Sequence, residues 1–411
     1  MSAKFPTTVS LAVGAAAMAA IFCMSAFAPV VEAAGRGPFL VEANGFLPTN
    51  SRLVFQNPRG LQRYYAFFYY PGDLTWFYKY SVDGVVWSAL QAGMDGALGS
   101  ASLWVYDSGR ELVVHLVASG TFVGQIQYRR GTIGDFAQTI TWTGVQLVEP
   151  GGSNAATYGL SITRTANGRP VITAVGETFT SPTYRYEVRA WGANADSPTP
   201  LWTRATLIPS FTGLTTRQTG GYTSSYAAGG NYVFVAGSAA RSLKSVSSPW
   251  DVSWVRASWD GTLWSVGPVT VLASTEAAAR PASLVIDEAL LPHALVLYSG
   301  AMITPLVHYR GTSPDGRTYQ TFGVSSSPVT SATLSIDFTS NPKKLKAIYH
   351  YGSSNIYWKD SPTSTISWGP ENTIIWSEDT TDLSSSQRDL VGRIHGLAES
   401  SHGVYYFNIN I

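Results

Sequence analysis

Three arginines each stand just ahead of a short apolar run: Arg52 before Leu-Val-Phe, Arg280 before Pro-Ala-Ser-Leu-Val-Ile, and Arg388 before Asp-Leu-Val-Gly. Guanidinium groups brought to one point grip a carboxylate or sulfate through paired N–H donors. The alternative is that arginine merely decorates exposed strand ends. Glycoside hydrolysis would also need two carboxyl groups facing the scissile bond. Eight acids fall in connecting segments: Asp73, Asp95, Glu149, Glu177, Asp251, Glu276, Glu378 and Asp379. No spacing joins any two of these into a pair. The segment from Gly237 to Ser253 adds Arg241, Lys244, Trp250 and Asp251, an aromatic flanked by charges. Such a loop suits stacking on a sugar ring, or equally a tryptophan tucked over the surface beneath it. The six histidines show no metal-ligand spacing, and there is no nucleophile elbow or phosphate-cradling glycine loop. No metal or cofactor is expected.

Residues scattered this widely need a repeating scaffold to bring them together, and the chain contains one. An aromatic recurs at Trp87, Trp142, Trp202, Trp264, Tyr319 and Trp368, at intervals of 49 to 62 residues. An extended segment precedes each, ending in an aromatic or valine followed by a cation: Tyr78-Lys79, Tyr128-Arg129, Val188-Arg189, Val255-Arg256, Tyr309-Arg310 and Trp358-Lys359. Each unit reads as four short strands separated by turn residues. The fifth is 282–287, 293–298, 305–310 and 319–324; the sixth is 332–338, 344–351, 355–359 and 366–375. One four-stranded sheet cannot bury both faces alone, so neighbours must stack, and closing the stack into a ring removes exposed edges. The chain therefore predicts an all-β propeller of six or seven four-stranded blades. Seven is preferred, because strands near Gly392–His395 and Val404–Ile411 can pair with one near Pro38–Phe46 to close a composite last blade.

Three of the aligned turns share a spelling: Ser81-Val-Asp83-Gly84-Val-Val-Trp87, Ser258-Trp-Asp260-Gly261-Thr-Leu-Trp264 and Ser313-Pro-Asp315-Gly316-Arg-Thr-Tyr319. It resembles the Asp-box (BNR-repeat) turn of sialidase-like propellers, with one residue fewer between Asp and Gly. In such a turn the aspartate accepts bonds from the turn's own backbone, glycine supplies φ > 0, and the aromatic packs back between sheets. The resemblance implies that the box joins third and fourth strands on the face opposite the binding site. It makes Asp83, Asp260 and Asp315 architectural, and puts the recurrent cations on that far rim. It also implies a test for catalysis, since sialidases use three arginines, a tyrosine nucleophile activated by glutamate, and an acid/base aspartate. The Arg-Ile-Pro signature of their first blade is missing here; Arg280-Pro281 is the nearest echo.

The remaining expectations come from the ends and the totals. No charge occurs between Lys4 and Glu32, and the apolar run closes on Val-Glu-Ala33-Ala34, the pattern of a secretory signal over residues 1–33. The run is also long enough to span a bilayer, so an uncleaved anchor is the alternative. A single propeller domain is expected over residues 36–411, secreted or on the extracellular surface. The only cysteine, Cys23, lies in the leader, so no disulfide is expected in the body. Twenty-seven Lys+Arg balance 26 Asp+Glu, which argues against a nucleic-acid partner. Together these features favour a propeller that binds a glycan, and an acidic sugar in particular, over catalysis. A diverged sialidase-like hydrolase and a structural envelope component are the other readings. Oligomeric state is not legible.

Overall fold

The computed structural model describes residues 36–48, 52–152, 155–209, 221–240, 250–273, 278–299, 305–352, 355–386 and 393–410. These form seven sheets in a ring and, among the described residues, no helix. Blade 1 is Val54–Gln56, Tyr64–Tyr70, Thr75–Ser81 and Gln91–Asp95, from the channel outward. Blade 2 is Ala97–Asp107, Leu112–Gly120, Gln125–Ile133 and Gln146–Pro150, with Thr141–Trp142 as a side pairing. Blade 3 is Ala155–Arg164, Pro170–Thr180, Thr183–Ala193 and Trp202–Ile208. Blade 4 is Thr223–Ala227, Tyr232–Ala240, Trp250–Trp259 and Trp264–Val266, with Thr270–Ala273 also on its third strand. Blade 5 is Ala278–Ile286, Pro292–Ser299, Leu306–Gly311 and Tyr319–Ser325. Blade 6 is Val329–Asp337, Lys344–Tyr351, Ile356–Pro362 and Asn372–Ile374. Blade 7 takes Leu383–Ser385, Arg393–Ser400 and Gly403–Asn410 from the C-terminal end and its outermost strand, Arg36–Glu42, from the N-terminal end.

Seven blades and the composite closure match the sequence reading; the six-bladed alternative falls away. The outermost strand of blade 6 is shorter than the expected 366–375. Pro370 has no N–H to give to a ladder, and just before it Gly369 N bonds singly to Asp360 O of the third strand. The first strand of blade 7 is Leu383–Ser385, which the sequence reading missed.

Antiparallel order within each blade fixes two faces. First-to-second and third-to-fourth turns lie at one end, the box face. Second-to-third turns and the blade-to-blade connections lie at the other, the crossover face.

All three spelled boxes join third to fourth strands. Asp83 Oδ1 accepts from Val85 N at 2.8 Å and Val86 N at 2.9 Å. Asp260 Oδ1 accepts from Thr262 N at 2.7 Å and Leu263 N at 2.8 Å. Asp315 Oδ1 takes the Ser313 hydroxyl at 2.5 Å. Gly84 sits at φ +77°, and a Cβ there would lie 2.6 Å from Tyr406 Cε1 of blade 7, so both conformation and packing demand glycine.

The repeat aromatics each dock on the preceding blade. Trp87 meets Tyr406, Trp142 meets Phe67, Trp202 meets Tyr128, Tyr319 meets Trp254 and Trp368 meets His308, while Trp264 donates Nε1 to Thr203 O. Three of the recurrent cations do the same work rather than lining a rim. Lys79 reaches Val41 O at 2.9 Å, Arg129 reaches Gly93 O at 2.6 Å and Lys359 reaches Val324 O at 2.8 Å, each on the outermost strand of the blade before. Arg189 is also not on the rim: it is buried in blade 3 against Glu187 and Thr178.

The carboxylates of Asp83 and Asp260 are exposed and held below the usual range chiefly by the turn's own N–H groups. Asp83→Ala, Asp260→Ala and Asp315→Ala are each expected to lower the melting temperature modestly and leave ligand binding unchanged. Loss of binding at an unchanged melting temperature would refute an architectural role.

Candidate functional site

An innermost strand has no further strand on its channel side, so its outward N–H and C=O groups need other partners. Serine and threonine supply them, one blade serving the next. Leu160 N donates to Ser100 Oγ at 3.2 Å, Ser225 N to Ser161 Oγ at 3.0 Å, and Leu284 N to Ser224 Oγ at 2.9 Å. Ser283 Oγ donates to Leu334 O at 3.0 Å, Leu383 N to Ser331 Oγ at 3.0 Å, and Leu53 N to Ser384 Oγ at 2.9 Å. A backbone bond from Leu103 N to Arg52 O completes the seventh joint. The channel wall is thus a closed belt with hydroxyls at six of its seven joints, which holds the strand ends at its mouth in fixed register.

Arg52 enters this belt from the connection between blades 7 and 1 and crosses the channel. Its Nη2 donates to Ser283 Oγ at 2.6 Å and to Leu284 O at 2.9 Å, both on the innermost strand of blade 5. The residue is 5% exposed, and burial draws its guanidinium down to about 10. Arg52 therefore ties non-adjacent blades together and is withdrawn from a ligand in solvent.

Arg280 lies above it on the same blade 5 strand, at the crossover face and half-buried. Its Nη1 donates to Tyr222 Oη at 3.2 Å, and Nη2 donates to Thr330 O at 2.5 Å. Among the described residues no carboxylate forms an ion pair with it. Thr330 Oγ1 is 2.8 Å from His350 Nδ1. Burial holds that imidazole below its ordinary range against the opposing pull of Asp379, so it is neutral at pH 7. On the other side of Tyr222, the Tyr158 hydroxyl donates to Glu177 Oε2 at 3.0 Å on blade 3. Tyr158, Tyr222, Arg280 and Thr330 reach solvent in an arc over blades 3 to 6, with Asp379 following in the connection to blade 7.

One further acid belongs to this face. Burial pushes Glu399 up to about 7; a bond from Leu47 N at 2.7 Å opposes the shift and the nearby Asp382 adds to it. Its carboxyl therefore binds a proton more readily folded than unfolded, and ionisation between about pH 4.5 and 7 weighs against the fold. Glu399→Gln should raise the melting temperature at pH 8 and leave it nearly unchanged at pH 4, where both states are protonated. An equal change at both pH values would contradict this.

The sequence-predicted arginines thus separate. Arg280 is at the mouth, Arg52 is structural, and the channel strand of blade 7, Leu383–Ser385, precedes Arg388 instead of following it. Arg388 itself, like Arg241 and Glu276, lies outside the described residues, as does the side chain of Trp250. Asp251 stands on the third strand of blade 4, not in a loop. Of the other acids, Glu177 joins the arc and Asp379 flanks it. Glu149 is taken up by Trp191 Nε1 at 3.0 Å, Glu378 is engaged by His402, and Asp73 and Asp95 are exposed away from the mouth over blade 1. Tyr222, Thr330, His350, Asp382 and Glu399 escaped sequence reasoning, since single polar residues at strand ends carry no motif.

The sequence matches no family model, and no curated protein matches it. Among solved structures, a protein of unknown function from Dyadobacter fermentans superposes with a TM-score of 0.52 at 13% identity, covering 76% of this chain and 94% of that one. The polysaccharide lyase Uly1 superposes with a TM-score of 0.50 at 9% identity, covering 92% and 93%. The K499G mutant of NanB sialidase from Streptococcus pneumoniae gives 0.46 at 11%, covering 91% and 71%. At these identities the likeness is one of fold: this chain is a seven-bladed β-propeller.

Proposed function

We propose that this protein is an exported propeller that binds an acidic glycan at the channel mouth of its crossover face. The observation that carries this reading is Arg280. A half-buried guanidinium without a carboxylate partner among the described residues is set between a phenol and a backbone carbonyl, in an arc that also offers Tyr158. A cation that no described carboxylate pairs, in a partly dry site, favours an anionic guest, and phenols beside it suit a sugar ring. A polysaccharide-acting protein of the same fold is in keeping with a carbohydrate ligand. The box turns support kinship with Asp-box propellers, and the charge-free apolar leader supports export, with residues 1–33 removed or kept as an anchor. A glycan array probed with the purified propeller tests the reading. Uronate, sialate or sulfated glycans should bind above their neutral counterparts; a preference for neutral sugars, or no binding, overturns it.

The Tyr158–Glu177 pair favours a second reading, hydrolysis. A phenol bonded to a carboxylate at 3.0 Å is the arrangement that a tyrosine nucleophile activated by glutamate requires. Release of fluorophore from a sialoside, lost in Tyr158→Phe, would support it.

A further inference from the structure

The crossover face is not polar throughout. Over blades 1 and 2 it carries a cluster of exposed apolar side chains: Phe46 at 39%, Leu74 at 41%, Leu98 at 36%, Phe122 at 69% and Val123 at 52%. They come from three different connections and from the start of the innermost strand of blade 2, yet lie side by side. Phe46 bridges to Tyr69, and its ring packs beside Gly99, the neighbour of Leu98. Ala97 N donates to Leu74 O at 2.9 Å, and Trp76 Nε1 donates to Leu98 O at 3.0 Å. Ala97 in turn pairs with Gly120, two residues before Phe122. Single exposed apolar residues need no explanation, but a contiguous group rimmed by charges such as Asp73 and Asp95 marks a contact surface.

Its position says what it contacts. The bond from Leu160 N to Ser100 Oγ at 3.2 Å joins the strand carrying Tyr158 to the strand carrying Leu98, each only two residues away. The apolar cluster therefore begins where the polar arc ends, on the same face and with no blade between. We infer that the site takes an amphipathic glycoconjugate, whose acidic sugar occupies the Arg280 arc and whose apolar aglycone lies over Phe46, Leu98 and Phe122. This rests on the acidic-glycan reading and adds the class of its ligand. Continuity of the two surfaces favours one ligand spanning both over a separate protein partner on the apolar half.

Two probes carrying the same acidic glycan decide it, one on an octyl chain and one on a hydrophilic ethylene-glycol spacer of equal length. The octyl probe should bind wild type at least tenfold more tightly. The double variant Leu98→Ser, Phe122→Ser should lose that advantage while keeping its affinity for the spacer probe, which also shows that it is folded. Arg280→Ala should weaken both probes. Equal binding of the two probes to wild type, or an octyl advantage that survives in the double variant, overturns the inference alone. Failure of both probes to bind removes the acidic-glycan reading and this inference with it.

Discussion

Arg280→Ala is expected to weaken binding of an acidic glycan tenfold or more. A charge-assisted hydrogen bond contributes roughly 1.5–3 kcal/mol, and each 1.4 kcal/mol is about a factor of ten in affinity. The magnitude follows from the setting. Tyr222 and Thr330 hold the guanidinium by two of its N–H groups, so it is fixed before the ligand arrives and little ordering entropy opposes binding. Arg280→Lys should recover only part of the affinity, because an ammonium cannot reproduce the planar fork. Arg317→Ala is the control: that side chain is 65% exposed in a box turn on the opposite face and pairs with Asp315. Titration calorimetry with matched acidic and neutral glycans is the measurement. Equal losses for the two variants, or an equal loss for acidic and neutral sugars, would remove Arg280 from the site.

Arg52→Ala should instead act on the fold, costing about 2–4 kcal/mol of stability, as expected when a buried, bonded charged group is truncated and its acceptors are left dry. The Leu284 carbonyl and the Ser283 hydroxyl would each lose a donor inside the channel. Because Arg52 joins blade 1 to blade 5 across the ring, its loss loosens closure as well as a local contact. Denaturant unfolding should show a lower midpoint, while the molecules that remain folded bind acidic glycan with the parent affinity. Arg52→Lys, which keeps a donor of similar reach, should recover part of the stability. A drop in affinity at unchanged stability would return Arg52 to the ligand site.

The contrast between these two arginines shows where sequence stops. Both precede or open an innermost strand and look alike as text. Repeat spacing, strand count and the box turns were legible because they are local: an aspartate bonding to N–H groups two and three residues on, a glycine at φ > 0, an aromatic at fixed offset. Composite closure was legible because the unit count left strands over at both ends. What Arg52 does depends on which blades face one another across the channel, over more than 220 residues of chain, and what Arg280 does depends on the blades flanking its own, 58 and 50 residues away. That is set by ring closure and not by neighbours in sequence. The same holds for Lys79, Arg129 and Lys359, whose partners are carbonyls of the preceding blade, and for the serine belt, whose members follow no shared motif. The arc of Tyr158, Tyr222, Arg280 and Thr330 and the apolar cluster beside it exist only once seven sheets have closed. Sequence alone determined the architecture, since pattern and turn chemistry act within a blade. The tertiary structure decided the site, because its groups are brought there by four different blades.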